Sequence, residues 1–140
     1  MAATPREIYE RYVWATAMTR DADAVAEMFT ADGVIEAPLV AAGRVFPRRM
    51  EGRDEIRAGL AAYYQRLADA DRQVNVNQVN VNKSRYVLHG TDDSDVFIVE
   101  IDTVFDGPGQ ETTLSLVKIF RIRDGKIALL RDYFASEQVD

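Results

Sequence analysis

The sequence predicts an α+β fold in which helices come first and a strongly bent, mostly antiparallel sheet follows. Apolar residues recur with a helical period as far as residue 68, and beyond it they alternate with a period of two. The pairs at 124–125 (DG) and 106–109 (DGPG) are typical hairpin turns. Helices and strands that are segregated along the chain favour α+β over α/β. We expect the sheet to wrap around three N-terminal helices as a cone with one open mouth.

The first helix is predicted from its N-terminal capping signature. Thr4 can cap, Pro5 suits the first helical position and Glu7 follows Thr4 at the capping-box spacing. We expect this helix to continue to about Thr19. One of its stripes joins Ile8, Tyr12 and Ala15.

Two further helices are expected before the sheet. The second begins at Asp21 or Asp23, extends through Phe29 and ends in a turn at 32–33 (DG). A short strand is predicted at 34–38, followed by an irregular segment at 39–52. The third helix, at 53–68, has a stripe of apolar residues with helical spacing: Ile56, Leu60, Tyr63, Tyr64 and Leu67.

The second half of the chain reads as strands. In the first of them valines alternate with asparagines, and a slip of this alternation at 77–78 predicts a β-bulge. The predicted strands are 74–81, 86–89, 96–105, 113–123 and 126–134.

Composition restricts the classes of function. At 140 residues the chain suits one domain, residues 1–140, with an ordinary apolar fraction of 47%. A net charge of −6 disfavours nucleic acid and anionic membranes as partners. The chain has no cysteine and one histidine, His89, so we expect no metal and no cofactor. Without a signal-like or membrane-length apolar run, a cytoplasmic protein is predicted.

Two carboxylates within strands suggest a site. Asp132 and Asp102 lie among apolar residues, although Asp is depleted from strands and is rarely buried unless paired. If Asp132 faces a pocket, alternation places Leu130 and Phe134 on the same side. Two carboxyl groups sharing an apolar pocket would have their pKa values pulled apart, as acid–base catalysis requires. An ion pair of Asp132 with Lys118 or with an arginine is the alternative.

Alternation divides strand 96–105 into two unlike faces. One carries Ile98, Glu100 and Asp102, and the other is wholly apolar. The acidic face either lines the pocket or is the solvent side of the sheet. The apolar face needs a second packing layer, which is either a helix or a partner subunit. Its residues are Phe97, Val99, Ile101 and Phe105.

Three motifs carry a family resemblance: residues 29–34 (FTADGV), 51–56 (EGRDEI) and 120–127 (FRIRDGKI). With the order of elements, they resemble the NTF2-like superfamily, and within it the SnoaL-like polyketide cyclases and the limonene-epoxide-hydrolase group. The resemblance implies a cone-shaped fold but no single reaction, because the superfamily hosts many. Residues 130–134 (LRDYF) resemble the strand whose Asp is a catalytic acid or base in both groups.

Other residues match the functional motifs of related families in part. Residues 100–102 (EID) resemble the epoxide hydrolases' Arg-x-Asp, in which the Asp protonates the epoxide, with Glu100 in place of the Arg. Residues 34–39 (VIEAPL) resemble their Tyr-x-Asn-x-Pro-Leu, with Glu36 at a position that holds the attacking water. Tyr12 matches the oxyanion-hole tyrosine of ketosteroid isomerases. However, Ala37 stands at the place of their general base, which argues against that activity.

The resulting hypothesis is a cofactor-independent enzyme of secondary metabolism. It would use Asp132 as principal acid or base, with Asp102 or Glu36 as partner, to cyclise or isomerise an apolar polyketide- or terpenoid-like substrate. Epoxide hydrolysis or epoxide-opening cyclisation is a variant, and non-catalytic binding of a small ligand is the alternative class. Residues expected to bind substrate are Tyr12, Trp14, Phe29, Tyr64, Glu100, Lys118, Leu130 and Phe134.

Several features stay open at this stage. Lys118 is either a counter-ion, a stabiliser of a developing oxyanion or a surface residue. His89 precedes a turn and is either solvated or catalytic. Arg44, Arg48 and Arg49 would border the mouth of the cone, where they either recognise an acidic substrate or remain solvated. We expect a homodimer that packs through the outer faces of the sheet.

Overall fold

The computed structural model describes residues 3–73, 78–107 and 110–135. Three helices pack on a seven-stranded mixed sheet. The described residues contain no helix with the length and apolar character needed to span a membrane. The predicted α+β class, with its N-terminal helices and mostly antiparallel sheet, is confirmed.

Helix α1 spans Pro5–Val13 and begins as predicted. The backbone N–H of Glu7 donates to the Thr4 hydroxyl at 3.2 Å, and the Glu7 carboxylate accepts from the Thr4 N–H at 3.0 Å. The expected continuous helix to Thr19 instead changes at Trp14–Met18 into a π-helical turn. Here the Thr19 hydroxyl donates to the carbonyl of Trp14 at 2.8 Å, a side-chain bond of the kind that competes with regular helical pairing.

Helix α2 spans Ala22–Glu27 and is capped by Asp21, whose carboxylate accepts from the Ala24 N–H at 3.0 Å. Helix α3 spans Arg53–Gln73, five residues beyond the predicted end at residue 68. The region between them corrects the prediction. Phe29 begins a strand and does not belong to the helix. The DG pair at 32–33 lies inside this strand instead of in a turn, because the pairing of the strand shifts register between Phe29 and Val34 and so accommodates the two residues.

The sheet has seven strands: β1 (Phe29–Glu36), β2 (Arg49–Glu51), β3 (Gln78–Val79), β4 (Arg85–Gly90), β5 (Val96–Gly107), β6 (Gln110–Arg123) and β7 (Lys126–Tyr133). Their order in the sheet is β2-β1-β7-β6-β5-β3, and β4 pairs with the same edge of β5 as β3. Strands β1 and β7 are parallel, and the other pairs are antiparallel.

Turn chemistry explains the hairpins. Asp124 and Gly125 join β6 to β7 with φ of 53° and 76°, as a tight two-residue hairpin requires. The valine–asparagine strand ends at Val79, two residues before the predicted end, because Asn80 starts a turn in which its side chain accepts from the Lys83 N–H at 3.1 Å. The predicted bulge involves residue 77 and the predicted turn residues 108–109, which all lie outside the described residues.

The core lies between the helices and one face of the sheet. Phe97 and Phe120 stack across β5 and β6 with their ring centroids 4.8 Å apart. Tyr9 and Tyr12 of α1 meet Phe120 edge-on at 6.2 and 5.6 Å. The apolar face of β5 is therefore covered by a helix, one of the two predicted layers. We call this the inner face of the sheet and the opposite one the outer face.

Gly33 is expected to tolerate no side chain. A Cβ there would lie 2.9 Å from the Phe29 Cβ and 3.0 Å from the Ile127 carbonyl oxygen. Gly33→Ala should therefore lower the free energy of unfolding by about 1–3 kcal/mol, measured by urea denaturation. Gly90→Ala is the matched control, since no atom of the described residues lies within 4 Å of a Cβ at that position. Equal stabilities of the two variants would contradict the close approach of β1 and β7.

Candidate active site

Strand register determines which side chains share the inner face. Lys118 of β6 pairs with Val99 of β5 on one side and with Asp132 of β7 on the other. Directly paired residues point to the same face of a sheet. Asp132 therefore lies on the inner face, together with Leu130 and Phe134, as alternation along β7 predicts.

Asp132 and Lys118 form a buried ion pair. The Lys118 Nζ donates to the Asp132 Oδ2 at 2.7 Å, and the side chains are 15% and 7% exposed, respectively. The second carboxylate oxygen, Oδ1, is buried and has no hydrogen-bond partner among the described residues. Buried polar atoms are nearly always paired, so an unpaired carboxylate oxygen is unusual. It is available to accept a hydrogen bond or a proton from a bound molecule.

This pair lies in the wall of a cavity of about 260 Å³. Among the described lining residues, Asp132 is the one carboxylate, and aromatic and aliphatic groups form most of the remaining wall. They include Tyr12, Phe46, Leu60, Tyr63, Tyr64, Phe105, Leu114, Leu116 and Phe134. Low polarity around the ion pair strengthens its electrostatic interactions with a ligand.

Tyr12 lies beside the ion pair. The Lys118 Nζ is 5.6 Å from the centroid of its ring, within the range of a cation–π contact. Burial raises the pKa of the Tyr12 hydroxyl well above its ordinary value of 10.0, and the negative charge of Asp132 adds to this effect. Tyr12 is therefore a neutral phenol at physiological pH, able to donate a hydrogen bond.

The raised pKa of Tyr12 predicts how stability depends on alkaline pH. The unfolded chain ionises this phenol near pH 10.0, whereas the folded protein resists ionisation. The stabilisation is fully present below pH 10.0 and decreases as the pH rises toward the folded-state pKa. When the pH is raised from below to above 10.0, the free energy of unfolding of Tyr12→Phe should therefore decrease less than that of wild type. Urea unfolding at several pH values measures both. Identical pH dependence of the two proteins would contradict the assignment.

The expected convergence of several carboxylates is corrected. Asp102 pairs with Ser115 in the sheet register and lies on the outer face, because Val99 and Ile101 occupy the inner one. The Ser115 hydroxyl donates to the Asp102 Oδ1 at 2.7 Å, and the Arg85 Nε is 3.6 Å from the Oδ2. Asp102 does not line the cavity that contains Asp132.

Glu100 and Glu36 are also on the outer face. Glu100 pairs with Val117, and its carboxylate is 2.5 Å from the His89 Nε2. Glu36 forms ion pairs with Arg49 at 3.3 Å and Arg131 at 4.0 Å. The solvent-side alternative is therefore the observed one for Glu100 and Asp102. Among the residues that the structure describes, no second carboxyl group meets Asp132 in the cavity, and Lys118 is its partner instead.

The predicted substrate-binding residues divide into groups. Tyr12, Tyr64, Lys118 and Phe134 line the cavity. Phe29 and Leu130 are fully buried in the core and do not line it, which corrects that part of the prediction.

Trp14, another predicted substrate-binding residue, does not line this cavity. It is 63% exposed and lines a neighbouring cavity instead. Arg44, Arg48 and Arg49 are exposed and do not line the cavity either, which agrees with the solvated alternative.

Phe46 is a cavity residue that sequence reasoning did not identify. It belongs to the irregular segment between β1 and β2, yet it is 8% exposed. Its ring meets Tyr63 and Phe134 edge-on at 5.1 and 5.3 Å. The sequence feature that could have identified Phe46 is an aromatic residue within a segment rich in Gly, Pro and Arg. Phe46 brings this segment over one end of the cavity.

The sequence matches a known protein family over most of its length. The family model described as SnoaL-like domain matches residues 9–130. Among curated proteins, none matches the sequence. Among the described residues, no group of three acidic or histidine side chains is arranged to hold a metal ion.

Solved structures resemble the chain over nearly its whole length. A protein from Catenulispora acidiphila with a ketosteroid isomerase-like fold, in complex with trimethylamine, has 21% identity and a TM-score of 0.61, covering 98% of this chain and 91% of its own. A phenazine biosynthesis-related protein from Pseudomonas aeruginosa has 20% identity and a TM-score of 0.61, covering 95% and 76%. A candidate polyketide cyclase from Pseudomonas putida has 16% identity and a TM-score of 0.58, covering 96% and 94%. At these identities the likeness concerns the fold.

Proposed function

Since the chain belongs to the SnoaL-like domain family and has the NTF2-like cone fold, we propose that it catalyses proton transfer on an apolar small molecule without a cofactor. The reaction is cyclisation or isomerisation of a polyketide- or terpenoid-like compound in secondary metabolism. One observation carries the proposal: the buried Oδ1 of Asp132 lies in the wall of an apolar cavity and has no hydrogen-bond partner in the described part of the chain, while Lys118 neutralises the other oxygen.

The two charged groups suit complementary steps. Asp132 Oδ1 removes a proton from a carbon next to a carbonyl group, and the electrons of the broken C–H bond move onto the carbonyl oxygen. The ammonium group of Lys118 stabilises the enolate oxygen that results. In cyclisation the enolate carbon attacks a second carbonyl, and protonated Asp132 gives its proton to the alkoxide that forms. In isomerisation the enolate is conjugated with a C=C bond, and protonated Asp132 gives its proton to the far carbon of that dienolate. Asp132 is regenerated as a carboxylate in both cases.

The cavity wall supports the substrate class. Its rings and aliphatic side chains would bury a hydrocarbon or aromatic skeleton, with few polar groups to orient it. The similar structures include a candidate polyketide cyclase and a phenazine biosynthesis-related protein, which is consistent with secondary metabolism.

Epoxide opening is less well supported. The sequence-based version used Asp102 to protonate the epoxide oxygen while Asp132 activated the nucleophile. Asp102 lies on the outer face, so the proton donor of that version does not reach the cavity. Lys118 is the cation paired with Asp132 in a cavity wall that also includes Arg20, and stabilising an enolate fits the Lys118 ammonium group better than acting as a strong acid.

Hydrogen–deuterium exchange at carbon tests the proposal. Wild-type protein would be incubated in deuterated buffer with a panel of enolisable ketones and β-diketones, and loss of the C–H signals next to the carbonyl followed by NMR. We expect exchange well above the buffer rate for ketones that bind. Ketones that bind without exchanging would overturn the proposal and leave a non-catalytic binding domain.

Homodimer formation through the outer face remains a prediction. Half-buried apolar side chains, among them Ile98, Val117 and Ile119, lie on that face and support it. Light scattering at micromolar concentration should give the mass of two chains. A mass of one chain, 15.7 kDa, would rule the dimer out.

A further inference from the structure

A second cavity lies beside the one that contains Asp132. Its volume is about 370 Å³, compared with about 260 Å³ for the first. Residues of α1, the π-helical turn, β3 and β5 belong to the walls of both. These shared residues are Tyr9, Val13, Ala17, Val79, Ile101 and Thr103. We call the cavity with Asp132 the inner compartment and its neighbour the outer compartment.

The size of the inner compartment is a reason to consider the two together. Ligand sites usually enclose about 300–1,000 Å³, so 260 Å³ is small for a polyketide- or terpenoid-like molecule. The outer compartment, which shares part of its wall with the inner one, offers further space next to it. Ala17 has a small side chain at this shared wall, and it lies in the π-helical turn. Such turns are frequent at functional sites.

Exposed apolar side chains gather at the outer compartment. Three of the five large apolar residues exposed in the described part of the chain line it: Trp14 at 63%, Met18 at 46% and Val81 at 62%. Single exposed apolar residues need no explanation, whereas a cluster around one concavity marks a binding surface. The opposite charges of Arg85 and Asp102 at its rim are already paired at 3.6 Å.

We propose that the substrate spans both compartments, with an enolisable carbonyl end at Lys118 and Asp132 and an elongated apolar end in the outer compartment. This inference rests on the proposed function and adds the shape of the substrate to it. The outer compartment contributes affinity and selects for length, while the inner one performs the chemistry. The occupant is therefore an elongated, mainly hydrocarbon or aromatic ketone, not a compact one.

A homologous series of 2-alkanones, from roughly four to twelve carbons, tests the inference because each buried methylene should tighten Kd by about fourfold. Trp14 is the one tryptophan of the sequence and lines the outer compartment, so its fluorescence reports occupancy. We expect affinity to keep rising along the series. The Trp14 emission should shift to the blue for the longer members alone.

Val81→Asp and Leu39→Asp form a matched pair of variants. Both residues are exposed, at 62% and 58%, and Val81 lines the outer compartment whereas Leu39 lines neither. A charge at position 81 should weaken the binding of long ketones by about tenfold, because it is unfavourable next to their apolar end. The affinity for short ketones, which do not reach position 81, should change by less than about twofold. Leu39→Asp should follow wild type for every ketone.

Three results would overturn the inference. One is affinity that stops rising once the inner compartment is full, with Trp14 emission unchanged. Another is equal weakening of short and long ketones by Val81→Asp. The third is Trp14 emission that depends on protein concentration without ketone, since the outer compartment would then hold a second copy of the chain. If affinity rises with ketone length as expected but no hydrogen–deuterium exchange occurs at carbon, the proposed chemistry is overturned and the inference about substrate shape stands.

Discussion

Asp132→Asn should lower the rate of carbon exchange, and of turnover on the true substrate, by about 10²–10⁴-fold, because a general base contributes about that factor. The amide has the size of the carboxyl group but does not accept the proton. The apolar cavity wall remains, so KM should change much less than kcat. NMR exchange rates or steady-state kinetics at several ketone concentrations would separate the two constants.

Glu36→Gln is the control for this substitution. The sequence identifies Glu36 as a possible catalytic partner, but the structure places it on the outer face, where it pairs with Arg49. The same change from carboxylate to amide should leave exchange at the wild-type rate. If Asp132→Asn exchanges as fast as wild type while remaining folded, Asp132 is not the base. If Glu36→Gln loses as much activity as Asp132→Asn, charge rather than position explains the loss.

Lys118→Met should destabilise the fold strongly. It removes the counter-ion of Asp132 while the carboxylate stays 7% exposed, and breaking a buried pair from one side costs about 3–5 kcal/mol. Lys83→Met is the control, because Lys83 forms an exposed ion pair with Glu111 at 2.5 Å. Exposed pairs contribute little, so this variant should remain close to wild type. Urea denaturation of all three proteins measures the difference.

A double variant distinguishes an unpaired charge from lost packing. Asp132→Asn removes the charge that Lys118→Met leaves unpaired, so the two changes together should destabilise less than the sum of the single changes. Strict additivity would show that the ion pair has no energetic coupling. That result would also weaken the argument that Lys118 holds the carboxylate ready as a base.

Local sequence signals determined much of the fold. The capping box of Thr4 and Glu7 and the hairpin at Asp124 and Gly125 each use interactions between neighbours in the chain. For that reason they form where the sequence predicts them. Alternation along β7 likewise placed Leu130 and Asp132 on one face without reference to any other strand.

Other features depended on contacts between distant segments. The DG pair at 32–33 is a turn signal that a strand absorbs because β1 pairs in parallel with β7. Phe46 lies in a segment without a regular pattern, and its burial depends on rings of α3 and of the chain end after β7. No periodicity within 39–52 contains that information.

The candidate site shows the same division. The sequence by itself determined that Asp102 and Glu100 share one face of β5, that Phe97 and Val99 share the other, and that Asp132 shares a face with Leu130. Alternation does not say which face the helices cover, because that depends on the register of three strands and on where α1 packs. The tertiary structure brings Val99, Lys118 and Asp132 together beneath Tyr12 and leaves Asp102 outside. One buried carboxylate with a lysine thereby replaces the expected pair of acids.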